Sequence, residues 1–149
     1  MWVQSRREKL SNEERLSGDG FGPLIYQYSR ADAVADGVLI DVSVMAREAG
    51  FKWPVAMTAA VWEDCVAWLQ DDSARQTPQD EAGRLWDVLF LAAYAIRTAP
   101  HTNSQLLFEI LRVPRDERTT AAVRVALKLL VGPGDRGEPV VTVLLPSEN

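Results

Sequence analysis

The last third of the chain alternates with a period of two, the spacing that sends successive side chains to opposite faces of a β-strand. In "LLFEILRV" (106–113) one face carries Leu106, Phe108, Ile110 and Arg112, and the other Leu107, Glu109, Leu111 and Val113. "VRVALKLLV" (123–131) puts Val123, Val125, Leu127, Leu129 and Val131 opposite Arg124, Ala126 and Lys128. "VVTVLL" (140–145) reads as a third strand, and the turn-rich "PRDERTTA" and "GPGDRGEP" make the three a meander.

The middle of the chain switches to helical spacing. Thr58 can cap a helix through Leu69, with Val61, Cys65, Trp68 and Leu69 on one side. "QDDSARQ" (70–76) interrupts it, and Thr77-Pro78, with Asp80 at the third helical position, restarts a helix running to Arg97. Its stripe is Ala82, Leu85, Trp86, Leu89, Ala93 and Ile96, and "VLFLAAYAI" (88–96) is apolar nearly all round, which predicts a central buried helix. Gly83 costs this helix about 1 kcal/mol of propensity, so close packing is expected there.

Punctuation organises the first part. "LIYQYS" (24–29) reads as a short strand, Ser29 and Asp32 as a helix cap, and Gly37 as its stop. "VLIDV" (38–42) is a second strand, followed by a short helix capped by Ser43 and ended by Gly50. Residues 1–20 read as a polar, frayed arm with helix potential between Arg6 and Leu16. The expectation is one α+β domain over residues 21–149, an antiparallel sheet with a C-terminal β-meander packed against a long central helix.

Composition narrows the chemistry. Cys65 and His101 are the only residues of their types, which excludes an intrachain disulfide and a Cys/His zinc site. Cys65 reads as a small buried hydrophobe and His101 as a solvated loop residue. Gly132, Gly134 and Gly137 spell G-x-G-x-x-G, but Pro139 and a β-rich run follow where a phosphate loop needs a helix N-terminus, so the motif predicts a hairpin. The charged first residues lack the apolar stretch of a secretory signal, and the longest apolar run, nine residues, is too short for a membrane. A cytoplasmic protein with no membrane partner is expected.

The net charge is −5, and residues 61–87 hold seven acidic and two basic side chains, so the excess belongs to one segment. Three readings follow. In the first, Trp62, Asp71, Asp72, Asp80, Arg84 and Asp87, with Trp68 and Trp86 nearby, form an aromatic and acidic docking surface for a protein partner. In the second, the two helices bring Glu63, Asp64, Asp80 and Asp87 to one cleft that holds Mg or Mn and acts on a nucleotide or other phosphorylated substrate. No cofactor is expected otherwise. "DEAGRLWDVLFLAAYAIR" (80–97) resembles the acidic helix of the MazG-type nucleotide pyrophosphatases, although Glu81 and Asp87 stand further apart than that family's acidic pairs. Against both stands a plain solvated helix face on which Arg84 bridges Asp80 and Asp87. In the third, Arg115, Arg118, Arg124 and Lys128 on the first hairpin contact an anion or a nucleic-acid backbone, though the chain as a whole is acidic.

The segments "YSRADAVADGVLIDVSVMAREAGF", "VWEDCVAW", "GRLWDVLFLAA", "LLRVPRDERT" and "VGPGDRGEPVVTVLLPSE", in this order, resemble a family of small uncharacterised bacterial proteins found on plasmids and other mobile elements. The resemblance implies a shared fold and a mobile-element context, and assigns no catalytic residue. The function expected first is a non-enzymatic, partner-binding accessory protein of a mobile element, a counter-defence inhibitor acting on host nucleic-acid machinery. Its partner would be a host or mobile-element protein.

Overall fold

The computed structural model describes residues 27–99 and 104–149. The polar arm, most of the strand expected over 24–29 and His101 lie outside the described residues; residues 27–29 are not strand but lead into a helix.

In chain order the elements are α1 (Arg30–Ala35), β1 (Leu39–Asp41), α2 (Ser43–Ala49), β2 (Val55–Thr58), α3 (Ala59–Val61) running on into a π-helical turn (Trp62–Val66), α4 (Gln70–Arg75), α5 (Glu81–Thr98), β3 (Gln105–Arg112), β4 (Val123–Pro133) and β5 (Pro139–Leu144). The strands form one five-stranded sheet in the order β1-β2-β5-β4-β3. All neighbours are antiparallel except β2 and β5, which run parallel with Val55 opposite Val141 and Met57 opposite Val143. The fold is thus α+β with a mostly antiparallel sheet and a C-terminal meander, as the pattern suggested, made mixed by this one parallel pair.

One face of the sheet is the core. Met57, Leu127, Leu129, Val141 and Val143 on the strands meet Val61, Cys65, Val66, Val88, Leu89 and Ala92 on the helices. These apolar side chains leave water together, each contributing of order 2 kcal/mol. Arg124, Ala126, Lys128 and Leu130 point to the other face. There Lys128 is nonetheless buried, donating to the carbonyls of Pro146 (3.4 Å) and Glu148 as residues 145–148 fold across the sheet. Glu148 secures that crossing by accepting from Thr58 Oγ1 at 2.8 Å and from the Leu145 amide at 2.8 Å.

Several local signals act as expected. Ser29 and Asp32 form a reciprocal capping box on α1, and Gly50 ends α2 with φ 111°. The three glycines lie in the β4–β5 hairpin, where Gly137 takes φ 81° and no helix follows. Gly83 has a close neighbour, its own helix cap: a Cβ there would come 3.0 Å from Asp80 Oδ1.

Other elements differ from the pattern. The helix capped by Thr58 ends at Val66 rather than Leu69, because the Ala67 amide bonds five residues back to Trp62 and leaves the chain extended. Residues 70–75 are helix, not a break. The cap of α5 is Asp80, which accepts from the Gly83 amide at 2.7 Å, so Thr77-Pro78 precedes the helix instead of opening it. Ser43 sits inside α2, and its hydroxyl joins the helix to β2 by accepting from the Val55 amide at 3.0 Å. Strand β2 has no alternation to reveal it, since all four of its residues are buried. Helix α5 is not buried all round: Phe90 and Tyr94 are 46% and 54% exposed.

Candidate partner-binding site

The acidic segment folds as a tight corner between the π-helical turn and the start of α5. Glu81 accepts from the Trp68 amide at 3.3 Å, and the Trp68 indole donates to Ser73 Oγ at 3.0 Å. The Ser73 hydroxyl in turn donates to the Gln79 carbonyl at 3.0 Å, closing the link between α4 and α5. Asp72 is buried, taking the Leu69 amide at 2.7 Å and Arg115 Nε at 2.7 Å. Those donors, the Leu69 amide foremost, hold its carboxyl below the ordinary range.

Arg84 closes the corner from inside. It is 4% exposed, lies 4.5 Å over the Trp68 ring, and donates to the carbonyls of Val66 (3.1 Å) and Val113 (2.9 Å) and to Gln79 Oε1 (2.8 Å). Burial lowers its pKa from the ordinary arginine value. Cys65 is buried alongside, its thiol pushed up to about 11 chiefly by burial and also by Asp64, so it stays protonated and inert at neutral pH.

The loop after β3 is bolted to the same corner. The Gln76 amide donates to the carbonyls of Pro114 (2.7 Å) and Thr119 (2.6 Å), and its oxygen accepts from the Glu117 amide at 3.1 Å. Within the loop Asp116 accepts from the Thr119 hydroxyl and from the amides of Thr119 (2.7 Å) and Arg118 (3.0 Å), bonds that bring its carboxyl down to about 2.

The expected docking residues divide accordingly. Asp71, Asp80 and Asp87 are on the surface and Trp62 is half-buried, whereas Asp72 and Arg84 face inward. The idea that Arg84 bridges Asp80 and Asp87 on a solvated face is corrected: its side chain is buried, and its Nε and one terminal nitrogen donate to backbone carbonyls and to Gln79 within the fold. Trp68 is core, while Trp86 is 37% exposed. The corner also presents Leu69, 57% exposed beside Asp71, which periodicity had assigned to the buried side.

The carboxylates offered for a metal are not gathered. Among the described residues no three His, Cys, Asp or Glu side chains are placed to hold an ion. Asp64 is held by Arg112 at 2.9 Å, and Asp87 lies in a groove between α5 and β3 where partial burial raises its pKa. The basic set is likewise dispersed. Arg115 is committed to Asp72, Lys128 is buried under residues 146–148, Arg124 stands 3.8 Å from Glu109, and Arg118 is exposed.

Two surface features went unread in the sequence. Trp86, Phe90 and Tyr94 recur every fourth residue as an exposed aromatic flank of α5, with the Trp86 and Phe90 rings 6.0 Å apart. Their spacing was the available signal. The other is the outer edge of β3, which no strand among the described residues covers. No helix of the described residues is long and apolar enough to cross a membrane.

Compared with known proteins, residues 21–149 match the model of a family described as "Family of unknown function (DUF6573)". No curated protein and no solved structure matches.

Proposed function

The chain belongs to this family of unknown function, and we propose that it is a non-enzymatic partner-binding protein whose contact surface is the acidic corner. The observation that carries the reading is an exposed apolar side chain, Leu69, set beside Asp71 and near Asp80, carboxylates with no ion-pair partner among the described residues. Leu69 and Asp80 each adjoin in sequence one partner of the Trp68–Glu81 bond, and the Ser73–Gln79 bond closes the same corner. A rigid apolar knob with unpaired negative charge around it suits a basic protein surface: the knob supplies buried area, and the charge supplies association rate and rejection of acidic competitors. The sign of the charge favours a nucleic-acid-handling protein of the host as partner. It agrees with the role of a counter-defence accessory protein on a mobile element.

The test keeps the helix cap while removing the charge, since asparagine caps as well as aspartate. Asp71→Lys combined with Asp80→Asn should leave circular dichroism and thermal unfolding unchanged. Affinity capture from a bacterial lysate, quantified by mass spectrometry, should lose the protein that the unaltered chain retains. Equal retention by both chains, or no protein retained by either, would sink the proposal.

A further inference from the structure

We infer that a second copy of this chain pairs with the first through the outer edge of β3, which no strand among the described residues covers, extending the sheet across a two-fold axis, a surface separate from the acidic corner. Strand β3 is the last in the order β1-β2-β5-β4-β3, and it is eight residues long with no proline. Leu107 and Leu111 on it are 62% and 59% exposed. An edge so long and apolar is what soluble proteins blunt unless something covers it.

The hydrogen-bonding phase shows what the edge offers. The Val131 amide donates to the Ser104 carbonyl at 2.8 Å, so with Gln105 opposite Leu130 the even-numbered residues of β3 bond to β4. The backbone groups of Gln105, Leu107, Glu109 and Leu111 therefore point outward, away from β4.

The sequence of the edge complements itself when read in reverse. In an antiparallel pairing centred on Phe108, Gln105 faces the second copy's Leu111 and Leu107 its Glu109, so all four outward residues are used. On the helix side Phe108 meets its own equivalent and Leu106 meets Ile110. No like charges oppose one another. Shifting the centre to Glu109 would set Glu109 against itself, which disfavours that register.

Helix α5 supplies the second layer. A groove of about 430 Å³ runs between it and the edge, lined by Asp87, Phe90 and Leu91 on one side and by Glu109, Ile110 and Leu111 on the other. Trp86 and Tyr94 share the flank of Phe90 and are 37% and 54% exposed. With the sheet continued, this flank faces the α5 of the second copy. The exposed parts of Trp86, Phe90 and Tyr94 come to roughly 300 Å² of the about 800 Å² per partner that stable pairs bury, and the paired backbone of β3 and the flanks of Leu107 and Leu111 on the opposite sheet face add to it.

Sedimentation velocity on the full chain, from low micromolar to submillimolar concentration, tests the inference. The expected result is a species of twice 16.6 kDa that dissociates on dilution. Leu107→Pro removes an outward amide without touching the bonds to β4, and Phe90→Lys places a charge on the groove wall. Each should raise the dissociation constant at least about tenfold while leaving the circular dichroism of the monomer unchanged. A chain that stays monomeric throughout, or a dimer that survives both substitutions, would overturn it. Because both variants keep Leu69, Asp71 and Asp80, they should still retain the partner captured at the acidic corner.

Discussion

Arg84 is a cation used as a backbone clasp. Its guanidinium reaches two carbonyls and an amide oxygen in different elements, a span that a single ammonium cannot cover. Arg84→Ala should therefore cost about 3 kcal/mol in urea unfolding, because Val66 and Val113 each lose a buried donor. Arg84→Lys should recover only part of that, and Asp87→Ala, one turn away on the surface, should stay within about 0.5 kcal/mol. Near-equal stability of all three would mean that water replaces the clasp. Asp116 makes a second residue-scale case, with the sign set by its depressed carboxyl. Its folded value of about 2 lies below the ordinary 3.8, so its ionised form stabilises the fold at higher pH, and that stabilisation is lost as pH falls from 3.8 through 2. The stability gap between the native chain and Asp116→Asn should be open at neutral pH and close over that acid window. A gap unchanged at low pH would place the loop's stability elsewhere.

Among the elements, α1 is the most dependent on others. Six residues cannot hold a helix in water by themselves. Besides its own capping box, α1 receives Asp135 from the β4–β5 hairpin, which accepts from the Arg30 amide at 2.7 Å and the Ala31 amide at 3.0 Å. Asp135→Ala should cost about 1 kcal/mol and speed hydrogen exchange in α1 while leaving β4 and β5 protected. Unchanged exchange would show the local box to be sufficient. The contrast with α4 explains what could be read in the chain. Strands β3, β4 and β5, the Ser29 cap and the Gly37 and Gly50 stops announce themselves through period and local chemistry. Helix α4 is anchored by polar residues, Asp72 and Gln76, whose partners Arg115, Pro114 and Thr119 lie some forty residues ahead. Strand β2 is buried on both faces and therefore does not alternate. The candidate site was legible in the same measure. Charge density singled out the segment proposed as the contact surface, but whether an individual carboxylate faces in or out depends on a distant loop. Hence Asp71 is exposed, as a contact residue must be, whereas Asp72 is buried.

At the scale of the whole molecule, the sheet joins the two halves of the chain through its one parallel pair. β2 and β5 are adjacent although more than eighty residues separate them, and β5 stands in the middle of the sheet, with β2 on one side and β4 on the other. Val141 and Val143 are accordingly among the most buried side chains in the fold. The arrangement has a consequence for synthesis on the ribosome. Local helices and the β3–β4 hairpin can form as they emerge, but β1 and β2 have no sheet to join until residues 139–144 are outside the exit tunnel. Until then the apolar faces of β2 and α3 wait uncovered, so β2 can be buried on both faces only after β5 has been made.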